Sequence, residues 1–232
     1  MFPFVVLDIK LCYSNSTIEE IKHSMDEEKR AAFVKRLMEF GHLSPIEHAS
    51  FTFGIEGVSR ALLAQITRHR LVSFSVQSQR YVNKSAGFNY IIPPSIIELG
   101  SDAVCRYKEQ MSIMQGWYNE WVEELGGNSE SSNEDARFVL PNACETKMVM
   151  TMNARELLHF FRLRCCERAQ WEIRALAYEM LKLCHDVCPS IFAHGGAACV
   201  HGPCSEGKMC CGKQIEVRNF TKNYLKGNYE SK

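Results

Sequence analysis

The chain has 232 residues, of which 46% are hydrophobic, and its 27 Lys and Arg residues equal its 27 Asp and Glu residues. This composition predicts a globular protein with a buried core, and the balanced charge excludes a general attraction to nucleic acid or anionic membranes. No apolar run reaches the roughly 18 to 20 residues that span a bilayer, so we predict no membrane role.

Eleven cysteines would indicate disulfides in a short secreted chain. The opening MFPFVVLDIK, however, has no basic region and reaches Asp8 before an apolar stretch of signal-peptide length is complete. We therefore predict a cytoplasmic protein with reduced thiols.

The first predicted elements are one or two helices over residues 16–42, with Ser16 as an N-cap and Gly41 as a stop. Residues 48–57 then alternate apolar side chains with polar or small ones, which predicts a half-buried strand.

A second predicted helix covers residues 58–69, and residues 70–82 have the pattern of a loop and a strand. Gln65 and Arg68 are three apart on that helix, so we expect them to share a face, although a lone arginine also fits a solvated helix end. The three residues from Arg68 on cannot all point the same way, so this triplet must face at least two environments.

No acidic residue lies between Glu56 and Glu98, and this segment carries five positive charges, on Arg60, Arg68, Arg70, Arg80 and Lys84. Ser78 and Arg80 are two apart on the predicted strand and would share a face. A guanidinium fork beside hydroxyl and amide groups provides what a phosphate monoester needs. The rival hypothesis is a nucleic-acid-binding module, whose binding to polymers would depend steeply on salt.

In the second half, residues 101–125 have a helical pattern and the polar segment 126–135 is predicted to be a surface loop. The longest predicted helix runs over residues 153–187, with Asn153 at its N-cap and a Cys-Pro pair after its end.

The predicted 153–187 helix carries two polar stripes. Asn153 and Arg164 are eleven residues apart, close to three turns, and therefore line up. Arg155 and His159, four apart, form the other stripe.

Three further arginines need partners. Arg137 is an isolated charge before an apolar strand-like or turn segment, whereas Arg162 and Arg168 are expected to pair with nearby glutamates, Glu156, Glu167 and Glu172.

The C-terminal tail is rich in cysteine and glycine. Its cysteines are Cys199, Cys204, Cys210 and Cys211. Their spacing differs from the two-residue knuckle of common zinc sites, which favours a structural tail over a metal site. Cys165 and Cys166, on a predicted helix among apolar neighbours, are expected in the core.

Five blocks occur in one order: GHLSPIEHASFTF, RHR followed by seven residues and Ser78, EDARFVLPN, MNARELLHFF and LRCCERAQWEIR. Together they resemble the flavin-dependent thymidylate synthases over residues 10–213. The resemblance implies a methyltransferase that makes dTMP from dUMP, taking a methylene group from methylenetetrahydrofolate and a hydride from FAD reduced by NADPH. A flavoprotein that reduces a nucleotide without methyl transfer is the alternative.

The resemblance also implies an α+β fold, the thymidylate synthase-complementing protein fold, with a β-sheet flanked by helices and a homotetramer whose active sites lie between subunits. We expect one domain over residues 1–232, with a catalytic core over about 10–195 and a tail over 196–232. Only about ten residues precede LCYS, where relatives begin with a strand and a helix.

Carried over residue by residue, the resemblance gives the dUMP-binding set Gln65, Arg68, Ser78, Gln79, Arg80, Arg137 and Arg164. The flavin-binding set is His42, Ser44, Arg68, His69, Arg70, Asn153, Arg155 and His159. Arg164 resembles the catalytic residue that favours the ionised uracil ring, and Ser78 is expected to position and polarise rather than to attack.

The chain departs from the family pattern at Ser75, Val76 and His159, where relatives commonly have Asn, Glu and Asn. A flavin contact at Ser75 or Val76 would therefore come from the backbone or be absent, while His159 adds a titratable ring.

Overall fold

The structure is a computed structural model that describes residues 11, 14–24 and 26–227. The predictions about the opening segment, on its targeting and its missing strand and helix, lie outside these residues. The described residues group into two compact units. Unit 1 comprises those up to Phe53, Leu71–Ser73 and those from Thr151 on, and unit 2 comprises Gly54–Arg70 and Phe74–Met150.

Three strands, β1 (Ser50–Ser59), β2 (Val72–Val76) and β3 (Glu145–Asn153), form an antiparallel sheet in the order β1-β3-β2. The predicted alternation of β1 is confirmed, since Phe53 and Ile55 are buried while the residues between them and beside them are exposed. Strand β3 is absent from our sequence-based prediction, although its buried residues follow a period of two: Thr146, Met148, Met150 and Met152.

The described α-helices are α1 (Ile18–His23), α2 (Glu27–Phe40), α3 (Arg60–Ile66), α4 (Pro94–Glu98), α5 (Ser101–Glu124), α6 (Glu130–Ala136), α7 (Ala154–Arg164), α8 (Trp171–Val187), α9 (Pro189–Phe192) and α10 (Gln214–Leu225). Short 3-10 turns are Ser44–His48, Arg137–Val139, Ala198–Val200 and Gly207–Met209. The chain therefore has the mixed α and β character that we predict. None of the helices in the described ranges combines the length and the apolar character needed to span a membrane.

Helix α1 is capped one residue later than predicted. Thr17 Oγ1 accepts a hydrogen bond from the Glu20 N–H at 3.3 Å, and the Glu20 carboxylate accepts one from the Thr17 N–H at 2.8 Å. The prediction of Ser16 as N-cap is wrong because this reciprocal capping box requires Thr17 and Glu20. The predicted stop is confirmed, since Gly41 ends α2 in the left-handed conformation at φ 74°.

The prediction of one helix over residues 153–187 is wrong, because residues 165–170 interrupt it. Asn153 is the N-cap as predicted, and its side chain accepts a hydrogen bond of 2.9 Å from the first turn of α7. Gln170 starts the second helix, since its side chain accepts hydrogen bonds of 3.0 and 3.2 Å from the first turn of α8. The predicted Cys-Pro end is confirmed at Cys188.

The core of unit 1 lies between α7, α8 and α9. Phe192 packs edge-on against Phe51 and Phe161, with ring centroids 5.2 and 6.1 Å away. Other fully buried side chains of these helices are Leu157, Phe160, Ile173 and Leu181. Because one face of α7 is buried in this core, side chains on its other faces line a cavity.

In unit 2, α5 confirms the predicted helix over residues 101–125, but the prediction of a surface loop over 126–135 is wrong. Helix α6 occupies the second half of that segment, because Ser129 caps it by accepting the Ser132 N–H at 3.1 Å. Tyr118 and Val122 of α5 pack with Ala136 of α6 in a buried cluster.

Candidate functional site

The predicted phosphate-binding side chains of unit 2 lie in a turn and not on a strand. Strand β2 ends at Val76, and Ser78 Oγ accepts a hydrogen bond from the Arg80 N–H at 3.1 Å. Gln79 donates its amide to Cys144 Sγ at 3.7 Å. The prediction that Ser78 and Arg80 share a strand face is therefore wrong, yet the hydroxyl-to-backbone turn still brings them together.

Arg80 lies against two carboxylates of α6. Its Nη2 is 2.6 Å from Glu130 Oε1, and its Nε is 2.6 Å from Glu134 Oε2, a close ion pair that lacks hydrogen-bond geometry. Arg137 joins this group, since its Nε donates to the Glu134 carbonyl at 3.0 Å. The two glutamates were missed because their segment is predicted to be a loop. An anion that binds Arg80 has to displace them.

A buried asparagine anchors the turn. Asn133, 2% exposed, accepts hydrogen bonds at Oδ1 from Asn83 Nδ2 at 2.7 Å and from the Tyr118 hydroxyl at 3.3 Å. Its Nδ2 donates to the Arg80 carbonyl at 3.3 Å. These bonds fix the backbone of the turn to α5 and α6. No sequence signal singles out Asn133, because it lies in a polar, Ser-rich segment.

The basic triplet follows α3, which ends before it. The Gln65 amide donates to a carbonyl one turn earlier at 3.3 Å, while Arg68 lies beyond the helix, so the prediction of a shared helix face is wrong. His69 is buried and Arg68 and Arg70 are exposed. The prediction that the triplet faces at least two environments is thus confirmed.

A cavity of about 670 Å³ in unit 1 is lined by two predicted flavin-binding residues, Arg155 and His159. Their position on one stripe of α7 confirms the predicted spacing. Arg155 Nη1 is 2.5 Å from Glu47 Oε1, and both side chains are about half exposed. His42 and Ser44 are exposed and flank Leu43, which lines the cavity.

The same cavity is also lined by two histidines outside the predicted site. His194 and His201 line it, with ring centroids 5.8 Å apart. Burial, and then the neighbouring His201, hold the pKa of His194 below its ordinary value. His194 is therefore a neutral hydrogen-bonding group at neutral pH.

The donor set of the 670 Å³ cavity fits the flavin that the sequence leads us to expect. Guanidinium and imidazole groups suit the negatively charged diphosphate of FAD, and Arg162 adds a third basic chain from α7. Apolar side chains suit the adenine and flavin rings: Met38, Leu43 and Leu158. The volume is also that of an ordinary cofactor pocket.

Arg164 is the last residue of α7, is half-buried, and lines a second cavity of unit 1, of about 240 Å³. Arg162 and Arg168 line this cavity as well, together with Cys166 and Glu206. Three guanidinium groups beside one carboxylate make this cavity suited to an anion.

Arg168 does not pair with the glutamates predicted for it. It lies 3.6 Å from Glu206 and donates to the Met209 carbonyl at 3.0 Å, whereas Glu167 pairs with Arg174 at 3.6 Å. Glu206, the partner from the tail, was missed because it lies 38 residues after Arg168 in the sequence.

The thiols of the 165–170 break differ. Cys165 is fully buried, as predicted, and burial raises the pKa of its thiol well above the ordinary value. Cys166 is only half-buried and both cysteines follow the end of α7, so the prediction of a core position on a helix is wrong for Cys166. Within the part of the chain that the structure describes, no three His, Cys, Asp or Glu side chains are grouped so as to hold a metal ion.

Comparison with known proteins shows similarity along most of the chain. Residues 3–190 match the family described as thymidylate synthase complementing protein. The chain is 50% identical over 217 residues to the flavin-dependent thymidylate synthase of Geobacter sulfurreducens, covering 93% of this chain and 91% of that protein. The protein of the same name from Clostridium tetani is 48% identical over 221 residues, or 91% and 88% of the two chains. That of Nitratidesulfovibrio vulgaris is 51% identical over 194 residues, or 82% and 78%.

Proposed function

The chain belongs to the thymidylate synthase complementing protein family, and we propose that it is a flavin-dependent thymidylate synthase that converts dUMP to dTMP. The observation that carries this proposal is the identity of 48 to 51% to relatives of that name over most of the chain. We further propose methylenetetrahydrofolate as the donor of the methylene group and NADPH as the reductant. Bound FAD would supply the hydride that turns the transferred methylene into a methyl group.

The phosphate of dUMP is proposed to bind the turn of unit 2. Arg80 pairs with the α6 carboxylates, Arg137 donates to the backbone carbonyl of Glu134, and Ser78 Oγ holds the turn through the Arg80 N–H. A phosphate dianion competes well with these carboxylates, because exposed ion pairs contribute only about 0–1 kcal/mol whereas a hydrogen bond to a charged group contributes about 1.5–3 kcal/mol. The other proposed dUMP contacts come from Gln65, Arg68, Gln79 and Arg164.

Arg164 is proposed to stabilise negative charge on the uracil ring. Its Cα is fixed at the end of a helix whose other face is in the core of unit 1, so the guanidinium needs little reorganisation when charge develops. Ser78 has its hydroxyl oxygen engaged by the Arg80 N–H, which suits a positioning group better than a nucleophile.

FAD is proposed to be held by Arg155 and His159 in the 670 Å³ cavity, whose donors suit a diphosphate. The Asn153 side-chain oxygen caps α7, which leaves its NH₂ group to donate to the cofactor. The remaining contacts are assigned to His42, Ser44 and the triplet Arg68, His69 and Arg70.

We propose that the enzyme is a cytoplasmic homotetramer with active sites between subunits. Ten cysteines of the described residues are free thiols, which suits a reducing compartment. Mixing Arg155→Ala with Arg164→Ala protein tests the assembly, because hybrid tetramers should regain activity if the two side chains serve sites completed by different subunits. Subunit exchange has to be verified first with tagged chains. No recovery after exchange argues for sites built within one chain.

The activity is tested with purified protein whose absorption spectrum shows bound flavin. We expect dTMP to form from dUMP only when methylenetetrahydrofolate and NADPH are both present. Arg106→Ala, which removes an exposed arginine of α5, is the control for the loss of a positive charge in Arg155→Ala and Arg164→Ala. A reduced nucleotide formed without folate would instead support the alternative of a flavoprotein reductase.

A further inference from the structure

The 670 Å³ cavity of unit 1 is basic on two separate parts of the chain. Its basic side chains come from α7 and from the segment 194–205: Arg155, His159, Arg162, His194 and His201. Among the described residues that line this cavity there is no aspartate or glutamate. Such a lining suits a ligand that carries more than one negative charge. The flavin contacts proposed above do not include the two histidines of the segment 194–205.

The backbone next to His194 is fixed by close packing. The Gly195 N–H donates to the Phe192 carbonyl at 2.9 Å, and a side chain at Gly195 would collide with Leu181 of α8. The following residue, Gly196, has φ 118°, in the left-handed region that favours glycine. The half-buried ring of His194 is therefore attached to a turn with a defined conformation.

His201 is held by the same turn. Its Nε2 lies 3.3 Å from the Gly195 carbonyl, so in the neutral ring this nitrogen carries the proton and donates it. Arg218 of α10 fixes the backbone around this histidine, since it donates to the Cys199 carbonyl at 2.6 Å and to the Gly202 carbonyl at 2.7 Å. These bonds keep the two imidazole rings in one place, with centroids 5.8 Å apart.

The surroundings of His194 favour its neutral form in the free protein. Burial lowers its pKa most, His201 lowers it further, and of two groups on α2 Glu39 raises it while Lys35 lowers it. The arginines of α7 in the same cavity carry the same sign of charge as an imidazolium. A bound anion acts in the opposite direction, because a negative charge favours the protonated ring.

We propose that His194 and His201 bind the diphosphate of the flavin cofactor together with the basic side chains of α7. This inference rests on the proposed flavin site and adds the segment 194–205 to it. A neutral His194 donates one N–H to a phosphate oxygen and adds a positive charge when it is protonated. His201, whose Nε2 proton is used by the Gly195 carbonyl, donates from Nδ1 only as an imidazolium.

Flavin binding is then coupled to proton uptake. The diphosphate raises the pKa of both rings in the complex relative to the free protein, so the complex holds more protons than its separated parts. The affinity for FAD should therefore increase as the pH falls from about 7.5 to about 6, the range in which histidine titrates.

The test measures the release of FAD from the full chain. Purified holoprotein is diluted at about pH 6 and about pH 7.5, and free FAD is quantified by its fluorescence after ultrafiltration. His194→Ala and His201→Ala should each bind FAD on the order of tenfold more weakly than the wild type at the lower pH, the scale of one hydrogen bond to a charged group. His23→Ala, which removes an exposed histidine of α1, is the matched control and should bind like the wild type.

Amide variants separate hydrogen bonding from titration. The amides of His194→Asn and His194→Gln can replace a ring N–H donor but cannot be protonated. At the higher pH at least one of them should bind FAD more tightly than His194→Ala, while both should gain less affinity on acidification than the wild type. A residue that only packs would not change this pH dependence. Thermal unfolding at both pH values verifies that each variant is folded.

Three results overturn the proposal: wild-type FAD affinity in both alanine variants, a loss of affinity that is the same at both pH values, or unchanged FAD binding with a raised KM for NADPH. The last result would place a different anion in the cavity. Wild-type protein that is purified without flavin and binds none would instead refute the proposed function, and with it the basis of this inference.

Discussion

Removing the Arg80 guanidinium tests the proposed phosphate site most directly. In the free protein this side chain is 41% exposed and pairs with two carboxylates that are 48% and 43% exposed. Such exposed ion pairs contribute about 0–1 kcal/mol, whereas a hydrogen bond to a charged group contributes about 1.5–3 kcal/mol. The difference, a net loss of about 0.5–3 kcal/mol, corresponds to dUMP binding that is roughly 2- to 150-fold weaker in Arg80→Ala. Arg137→Ala should fall in the same range.

Titration calorimetry with dUMP measures these affinities, and Arg106→Ala on α5 is the control that removes the same kind of side chain from an exposed position in the same unit. Arg80→Lys should not restore full affinity, because an ammonium is a point charge where the phosphate meets a fork. Glu134→Gln replaces one competing carboxylate with an amide of nearly the same shape, so dUMP should bind equally or a few times more tightly. Wild-type affinity in both Arg80→Ala and Arg137→Ala would remove these arginines from the site.

Three further predictions concern turnover, loop anchoring and acid stability. Arg164→Lys should keep fold and flavin content but lose on the order of a hundredfold in turnover, while stopped-flow reduction by NADPH, which precedes charge on the uracil ring, stays near the wild-type rate. Asn133→Ala should lower the free energy of unfolding in urea by about 1–3 kcal/mol, because it leaves the buried Tyr118 hydroxyl and the Arg80 carbonyl without this partner, and should raise the KM for dUMP. The pKa of His194 is lowered in the folded state, so the unfolded chain binds more protons than the folded chain as the pH drops below about 6.5, and wild-type stability should fall. His194→Asn should make the unfolding temperature depend less on pH in thermal unfolding scans.

Local sequence patterns predicted the elements whose signals lie within a few residues. The Gly41 stop, the alternation of β1, helix α5 and the Asn153 cap all depend on neighbours close in the chain, and the structure confirms them. The break after Arg164 was missed because Gln170 is an uncommon N-cap, so the sequence has no recognisable helix start at that position.

The environment of the candidate site was harder to predict, because its partners are distant in the sequence. Arg80 pairs with glutamates at positions 130 and 134, and Arg168 pairs with Glu206 in the tail. Neither pairing has a local pattern, and a helix must first be recognised at 130–136 before its carboxylates can be assigned a direction. The residue identities came from motif resemblance, whereas their charge partners required the fold.

The pairing of Arg80 partly neutralises the basic stretch of this chain of zero net charge. The acidic residues missing between Glu56 and Glu98 are supplied by α6, so part of the stretch is already neutralised in the folded unit. A ligand that displaces the carboxylates gains only the difference in free energy between its own bonds to Arg80 and theirs. This difference is largest for a dianion that presents several oxygens to the guanidinium fork. Added salt screens exposed pairs and exposed phosphate contacts alike, so dUMP affinity should depend on salt less steeply than binding by an unpaired basic patch. At the proposed phosphate site we therefore expect the intramolecular carboxylates to act as competitors that favour a compact phosphate monoester over the spaced single charges of a nucleic-acid backbone.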